Sequence, residues 1–258
     1  MPSLRTAVLF FLISAALPLQ AATFHAIVIC DTKAKEIRAS VEKDLNAVRK
    51  EAQQTANYIG FNLHEHLYIG NEVTRKILKI PNSLEVNEED IILFYFSGHG
   101  YRTASKKNNQ WPNFYLTKEN RGIDFQHIAQ LLDNQKPRLL IIIADCCNNI
   151  LPDSWAPPLI KTVLPAAEYK AAVSNNYRQL FLENEGTIYL SSSAPGEYSW
   201  ASKQGGIYTL ALIHSIQKEV AAKRTPSWEA IAERAAIKVI KSDFGQTPIS
   251  EIRLKKSQ

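Results

Sequence analysis

The chain has little cysteine. Three occur in 258 residues, Cys30, Cys146 and Cys147, and two of them are adjacent. An exported protein stapled by disulfides usually carries an even, well-spaced set. This count argues against a disulfide scaffold and leaves at least one thiol free. Also lacking are a Gly/Ser/Pro-rich linker, a low-complexity tract and an internal repeat, so one domain is expected after the N-terminal segment. Charge is not concentrated in either sign. Thirty Lys and Arg stand against 25 Asp and Glu, a net charge of +5. The basic residues are scattered apart from Lys106-Lys107 and Lys255-Lys256, which argues against a dedicated nucleic-acid surface. Hydrophobic residues make up 45% and charged residues 21% of the chain, enough apolar material for a sizeable core.

The first 22 residues, MPSLRTAVLFFLISAALPLQAA, differ from the rest. One positive charge (Arg5) precedes an apolar run from Ala7 to Leu17, and Pro18 and small residues follow it. That is the layout of a secretory signal peptide, and the run is too short for a comfortable membrane span. Removal after Ala21 or Ala22 is expected, with export to the periplasm or medium and no stable span left behind. The alternative is a buried N-terminal helix or an uncleaved anchor.

Beyond residue 22 apolar runs alternate with helical patterns. Strands are expected at 24–30 (FHAIVIC), 61–69 (FNLHEHLYI), 90–97 (DIILFYFS), 138–144 and 186–192 (GTIYLSS). Helices are expected at 40–58, 73–78, 124–134, 209–221 and 227–240. The runs at 90–97 and 138–144 are almost continuously apolar, as central parallel strands covered on both faces are. The rhythm predicts a three-layer α/β/α sandwich with a mostly parallel, about six-stranded sheet.

Sites on such sheets form at the carboxyl ends of the strands. Three expected strands end in unusual chemistry: Ser97-Gly98-His99-Gly100, Asp145-Cys146-Cys147-Asn148-Asn149, and Ser191-Ser192-Ser193-Ala194-Pro195-Gly196. A thiol becomes a strong nucleophile beside a base, and histidine is the usual partner. Adjacent parallel strands lie about 5 Å apart, so His99 and a cysteine at the next strand end can meet. Strand alternation puts Cys146 on the face opposite its two neighbours. Asn148 and Asn149, with backbone N–H groups around Gly100 and Cys147, are candidate oxyanion donors. His64-Glu65-His66 raises a metal reading, since alternate strand residues share a face. No third ligand is evident nearby, and an exposed strand face is the simpler account.

FYFSGHG, then IIIADCC, then SSSAPGEYSW, in this order, resemble the caspase–metacaspase–paracaspase superfamily of cysteine peptidases. His99 and Cys147 are 48 residues apart, matching the spacing of about 50 known for caspases. The resemblance runs from the first strand to Gln246-Thr247-Pro248. It implies a caspase-like domain over 23–258, with a large-subunit-like part (23–150), a linker region (151–185) and a small-subunit-like part (186–258). It also implies Cys147 as nucleophile, His99 as base, and the N–H groups of Gly100 and Cys147 as an oxyanion hole. Asp145 falls where metacaspase- and paracaspase-like members carry an acid in the primary pocket, and Ala201 where caspases place a pocket arginine. The implied substrate is a peptide with Arg or Lys at P1. Asp44 is the candidate second acid, with Asp31 as competitor and a solvated helix charge as the plain reading. Ser193 and Trp200 are expected to contact substrate. Lys161, Lys170 and Arg178 are candidate self-cleavage sites. No cofactor is implied, although a calcium requirement stays open. Two other readings compete with the peptidase: a catalytically silent binding or scaffold module, and a vicinal-thiol redox or metal protein.

Overall fold

A computed structural model describes residues 22–104, 106, 109–150 and 172–256. Residues 1–21 of the expected leader, Lys161 and Lys170 lie outside them. In chain order the elements are β1 (Thr23–Cys30), α1 (Arg38–Ile59), β2 (Asn62–Ile69), a short α2 (Ile80–Ser83), β3 (Ile91–Ser97), β4 (Gly100–Tyr101), β5 (Asn113–Leu116) and β6 (Arg121–Asp124). There follow α3 (Phe125–Asp133), β7 (Leu139–Asp145), α4 (Ala172–Leu182), β8 (Asn184–Ser191), β9 (Ala201–Ser202), β10 (Gly205–Gly206), α5 (Ile207–Val220), α6 (Trp228–Ile240) and β11 (Ile249–Lys256).

The main sheet has six strands in the order β11-β8-β7-β3-β1-β2. All neighbours are parallel except β11, which runs antiparallel to β8 along one edge. The apolar runs become the central strands: every residue of β3 and β7 is buried. Alternation divides them between two cores. Leu93, Tyr95, Ile141 and Ile143 pack with α1, α4, α5 and α6. Phe94, Phe96, Ile142 and Ala144 pack with α3 and the small sheet β4-β5-β6. The expected sandwich is therefore present, with four helices on one face.

Local chemistry sets the ends of the helices. Gly60, at φ 79°, closes α1 in the left-handed region and donates to the Ala56 carbonyl. Asp124 accepts from the Gln126 N–H to cap α3, and Ser227 caps α6 from the Ala230 N–H. The helix expected at 73–78 is instead a 3₁₀ segment, Arg75–Lys79, capped by Thr74 and running into α2 at Pro81. Pro81 lacks an N–H but sits in the first turn of α2, where that donor would be unpaired anyway.

Within the region read as a linker, residues 172–185 form α4 and the start of β8, and the candidate cleavage residue Arg178 lies in α4, donating to the Ile59 carbonyl at 3.1 Å. Among the described residues no helix is long and apolar enough to cross a membrane.

Candidate active site

Strand register brings the chemistry together. Cys30, Ser97 and Asp145 are the last residues of β1, β3 and β7, and the pairings place Ser97 opposite both others. One cleft at these strand ends is lined by Asp44, His99, Asp145, Cys147, Trp200 and Ala201, among others. The His99 and Cys147 loops touch directly through Gly100. A Cβ added at Gly100 would sit 2.4 Å from the Cys147 carbonyl oxygen and 2.5 Å from Cys146 Sγ, closer than any side chain tolerates. Glycine is therefore what lets the two loops meet. Gly100→Ala should destabilise the fold by about 1–3 kcal/mol through overpacking, lowering Tm by roughly 2–4 °C per kcal/mol in a domain of this size. An unchanged Tm in scanning calorimetry would show that the loops are not packed this way.

His99 is partly exposed, with Tyr115 edge-on at 6.4 Å between ring centroids. Its Nε2 lies 3.7 Å from Glu36 Oε2, a solvent-facing approach too long for a hydrogen bond. Cys147 Sγ accepts from the Ser199 N–H at 3.4 Å and faces the Ser199 carbonyl at 3.6 Å. Burial pushes its thiol up to about 11, the Ser199 N–H pulls the other way, and the Asp145 charge adds to the rise. At neutral pH the resting group is a thiol, so a base has to take its proton when it attacks. Cys146 belongs to the opposite core with Ala144 and Phe114, and burial first, then the Cys147 and Asp145 charges, raise its thiol well above the usual range. Cys30 is likewise buried.

The cleft also carries two buried carboxylates. Asp44 Oδ2 accepts from Ser97 Oγ at 2.8 Å and Oδ1 from the Gly206 N–H at 2.7 Å. Asp145 Oδ1 accepts from Ser199 Oγ at 2.8 Å, and Oδ2 from the Thr209 N–H at 3.1 Å and hydroxyl at 2.5 Å. Gly206 lies over both, since a Cβ there would sit 2.1 Å from Asp145 Oδ2 and 3.2 Å from Asp44 Oδ2. Burial raises both carboxyls above the usual aspartate range, and for Asp44 the neighbouring Asp145 charge raises it further. Asp44 belongs to the core-facing stripe of α1 with Val41 and Val48 and is no solvated helix charge. Its competitor Asp31 is buried elsewhere, accepting from the Thr117 and Lys33 N–H groups.

Trp200 lines the cleft with its indole N–H donated to the Phe244 carbonyl at 2.8 Å. Behind it Gln246 accepts from the Trp200 N–H and donates to the Ser192 carbonyl and Ser199 Oγ. Gln246 thus backs the cleft, while Thr247 hydrogen-bonds to Glu197. Ser193, expected to touch substrate, is fully buried and does not line the cleft. Its hydroxyl donates to the Cys146 carbonyl at 3.2 Å, because the chain turns inward after β8. The Asn148 amide is no oxyanion donor either: it is buried and donates to the Gln110 and Ser193 carbonyls. Ser97 and Ser199 lie inside the FYFSGHG and SSSAPGEYSW motifs, but their part in holding the two acids, like that of Thr209 and Gly206, was not read from the sequence, because single Ser, Thr and Gly residues do not announce their partners.

His64 and His66 share a face with His25, whose Nδ1 lies 3.4 Å from His66 Nε2. Glu65 points the other way, in a two-point ion pair with Arg49 at 2.7 and 2.8 Å. Among the described residues no group of three metal-ligating side chains converges.

Comparisons with known proteins identify the family of the fold. No curated protein matches the chain. Among solved structures it is similar to protein GSU0716 from Geobacter sulfurreducens, at 13% identity and a TM-score of 0.53, covering 89% of this chain and 92% of that one. At that identity the likeness concerns the fold. The caspase domain model matches residues 23–257, spanning every strand and helix described above. The chain belongs to the caspase domain family of cysteine peptidases.

Proposed function

We propose that the chain is a cysteine endopeptidase that cleaves after Arg or Lys, with Cys147 as nucleophile and His99 as general base. His99 takes the Cys147 proton as Sγ attacks the scissile carbonyl, and the Gly100 and Cys147 N–H groups receive the oxyanion. Collapse of the tetrahedral species breaks the C–N bond, and the leaving amine takes the proton from His99. Water, deprotonated by the same imidazole, then hydrolyses the thioester and returns the thiol. No cofactor enters this sequence.

The observation that carries the reading is the Asp44–Asp145 pair. Its carboxylates meet only neutral donors among the described residues, in the same cleft as His99 and Cys147. A P1 guanidinium or ammonium supplies the missing cation. At about 4 Å and an effective dielectric near 20, the attraction is about 4 kcal/mol before desolvation is subtracted. The test is labelling by an acyloxymethyl ketone with a P1 arginine. One adduct at Cys147 is expected, and none with P1 aspartate. No adduct points to the silent binding module, and adducts on both vicinal thiols to thiol redox chemistry.

We further propose that residues 1–22 direct export. The apolar run with one basic residue before it motivates this. Material made through an export pathway should begin at Ala22 or Thr23 by intact mass, and retained Met1 would sink the idea. A start at Thr23 has a physical attraction. Its N–H donates to the fully buried Asp90 Oδ1 at 2.7 Å, and as a free ammonium it would bring that carboxylate a counter-charge.

A further inference from the structure

The residue after the proposed nucleophile is held from every side. Asn148 is fully buried. Its side-chain oxygen accepts from Arg102 Nη1 at 3.1 Å, and its amide donates to the Gln110 and Ser193 carbonyls at 2.8 and 3.2 Å. Its backbone N–H donates to the Glu197 carbonyl at 3.0 Å, and its own carbonyl accepts from Gly196 at 2.9 Å. Glu197 lies two residues before Ser199, whose N–H meets Cys147 Sγ. Asn148 thus ties the strand end that carries Cys147 to the segment that presents the Ser199 N–H to its sulfur.

Arg102 is the other half of this device. It lies three residues after His99, on the extended segment that begins with β4. Its backbone N–H donates to the Asn149 carbonyl at 2.9 Å, and it bridges to Ile150. Its side chain reaches Asn148. One residue thus grips both amino acids that follow Cys147, by side chain and by backbone. The guanidinium is almost buried, at 7% exposure for the residue. Its second nitrogen, Nη2, donates to the Lys106 and Asn109 carbonyls at 2.5 and 2.8 Å. A planar fork that satisfies acceptors on separate segments is something a lysine cannot reproduce.

We propose that Arg102 and Asn148 are positioning residues that set the separation of His99 from Cys147. The Gly100 contact lets the two loops touch, and the Arg102–Asn148 clamp keeps them in one register. Neither side chain reaches substrate. Their loss changes how the reacting groups are held, while Asp44 and Asp145 continue to bind P1. The proposal rests on Cys147 and His99 being the reacting pair, so its test is arranged to separate the two failures.

Wild type, Arg102→Ala, Arg102→Lys and Asn148→Asp are compared as full chains in two measurements. One is steady-state cleavage of a peptide with P1 arginine. The other is iodoacetamide uptake at each cysteine, read by peptide mass. Arg102→Ala should lower kcat about ten- to a hundredfold through misplacement of the pair, with KM within about twofold because P1 binding is untouched. Millimolar methylguanidinium should recover part of that loss, and Arg102→Lys should not match wild type. Asn148→Asp keeps the acceptor for Arg102 but loses both amide donors, and should also lower kcat alone. Cys30 and Cys146 should stay unlabelled in every variant, showing that the cores are closed. An unchanged kcat, a rise in KM that accounts for the loss, or labelling of Cys30 and Cys146 in both Arg102 variants overturns the positioning role. A wild type without turnover refutes the peptidase reading and this role with it; a working wild type with indifferent variants refutes this role alone.

Discussion

Cys147→Ala should abolish peptide cleavage, while Cys146→Ala keeps most of it. The two side chains are adjacent in sequence and separated by the sheet. Cys147 Sγ lies in the cleft beside Ser199, and Cys146 is packed into the core beneath the small sheet. Removing the first removes the covalent route, and turnover should fall by at least about four orders of magnitude. Removing the second deletes one buried sulfur, which costs packing of about 1 kcal/mol and leaves the reacting atoms in place. The Cys146→Ala protein should show a lower Tm and nearly normal kcat. Equal loss in both variants, with folding intact by circular dichroism, would reverse the assignment.

Asp145→Asn should cost about ten- to a hundredfold in kcat/KM against P1 arginine or lysine, the equivalent of one charge-assisted hydrogen bond of about 1.5–3 kcal/mol. The substitution is tolerated sterically. The asparagine oxygen can face the Thr209 N–H and hydroxyl, and its amide can face the Ser199 hydroxyl, which reverses to accept. Asp44→Asn should do the same, with its amide turned to Ser97. A panel differing only at P1 (Arg, Lys, Asp, Ala) decides the matter. Equal slowing of all four, or a preference for aspartate, removes the acid pair from the pocket while leaving Cys147 and His99 untouched.

The same pair has a signature in pH. Both carboxyls titrate above their unfolded value because burial disfavours the charge. A raised folded pKa means stability fully present below the unfolded value and lost as pH rises through the folded one. Either Asp→Asn variant should therefore gain Tm near neutral pH as it loses P1 binding. A bound cation reverses the preference and drives protons off, so KM for P1 arginine should rise on acidification. Isothermal titration of a P1-arginine inhibitor in buffers of different ionisation enthalpy reads the released proton directly.

Much of this architecture was legible because it rests on two simple periods. Continuous apolar runs marked β3 and β7 as central strands. Alternation by two put Asp145 and Cys147 on one face and Cys146 on the other. The apolar stripe of Val41, Leu45, Val48, Ala52 and Ala56 was equally readable, yet it left Asp44 undecided between a pocket acid and a solvated charge, since a stripe of apolar residues does not announce a buried carboxylate beside it. Asn148 and Ser193 were misread for a related reason. Asn148 is claimed by Arg102, 46 residues away in sequence, and no local pattern announces such a partner. Edge strand β11 was missed because ISEIRLKK reads as a charged segment. Its apolar residues Ile252 and Leu254 are only partly buried against the core.

The site draws on widely separated parts of the chain. Asp44 comes from α1, His99 and Arg102 from the segment after β3, Cys147 from the end of β7, and Gln246 from the approach to β11. Parallel strands cannot pair through tight hairpins, so each addition to the sheet waits for a crossover, and such long-range pairings form late. A chain still being made has the thiol and the imidazole but neither the assembled acid pair nor the Arg102–Asn148 clamp. Completion of the cleft is in this sense a property of the topology, reached only when the last strand docks.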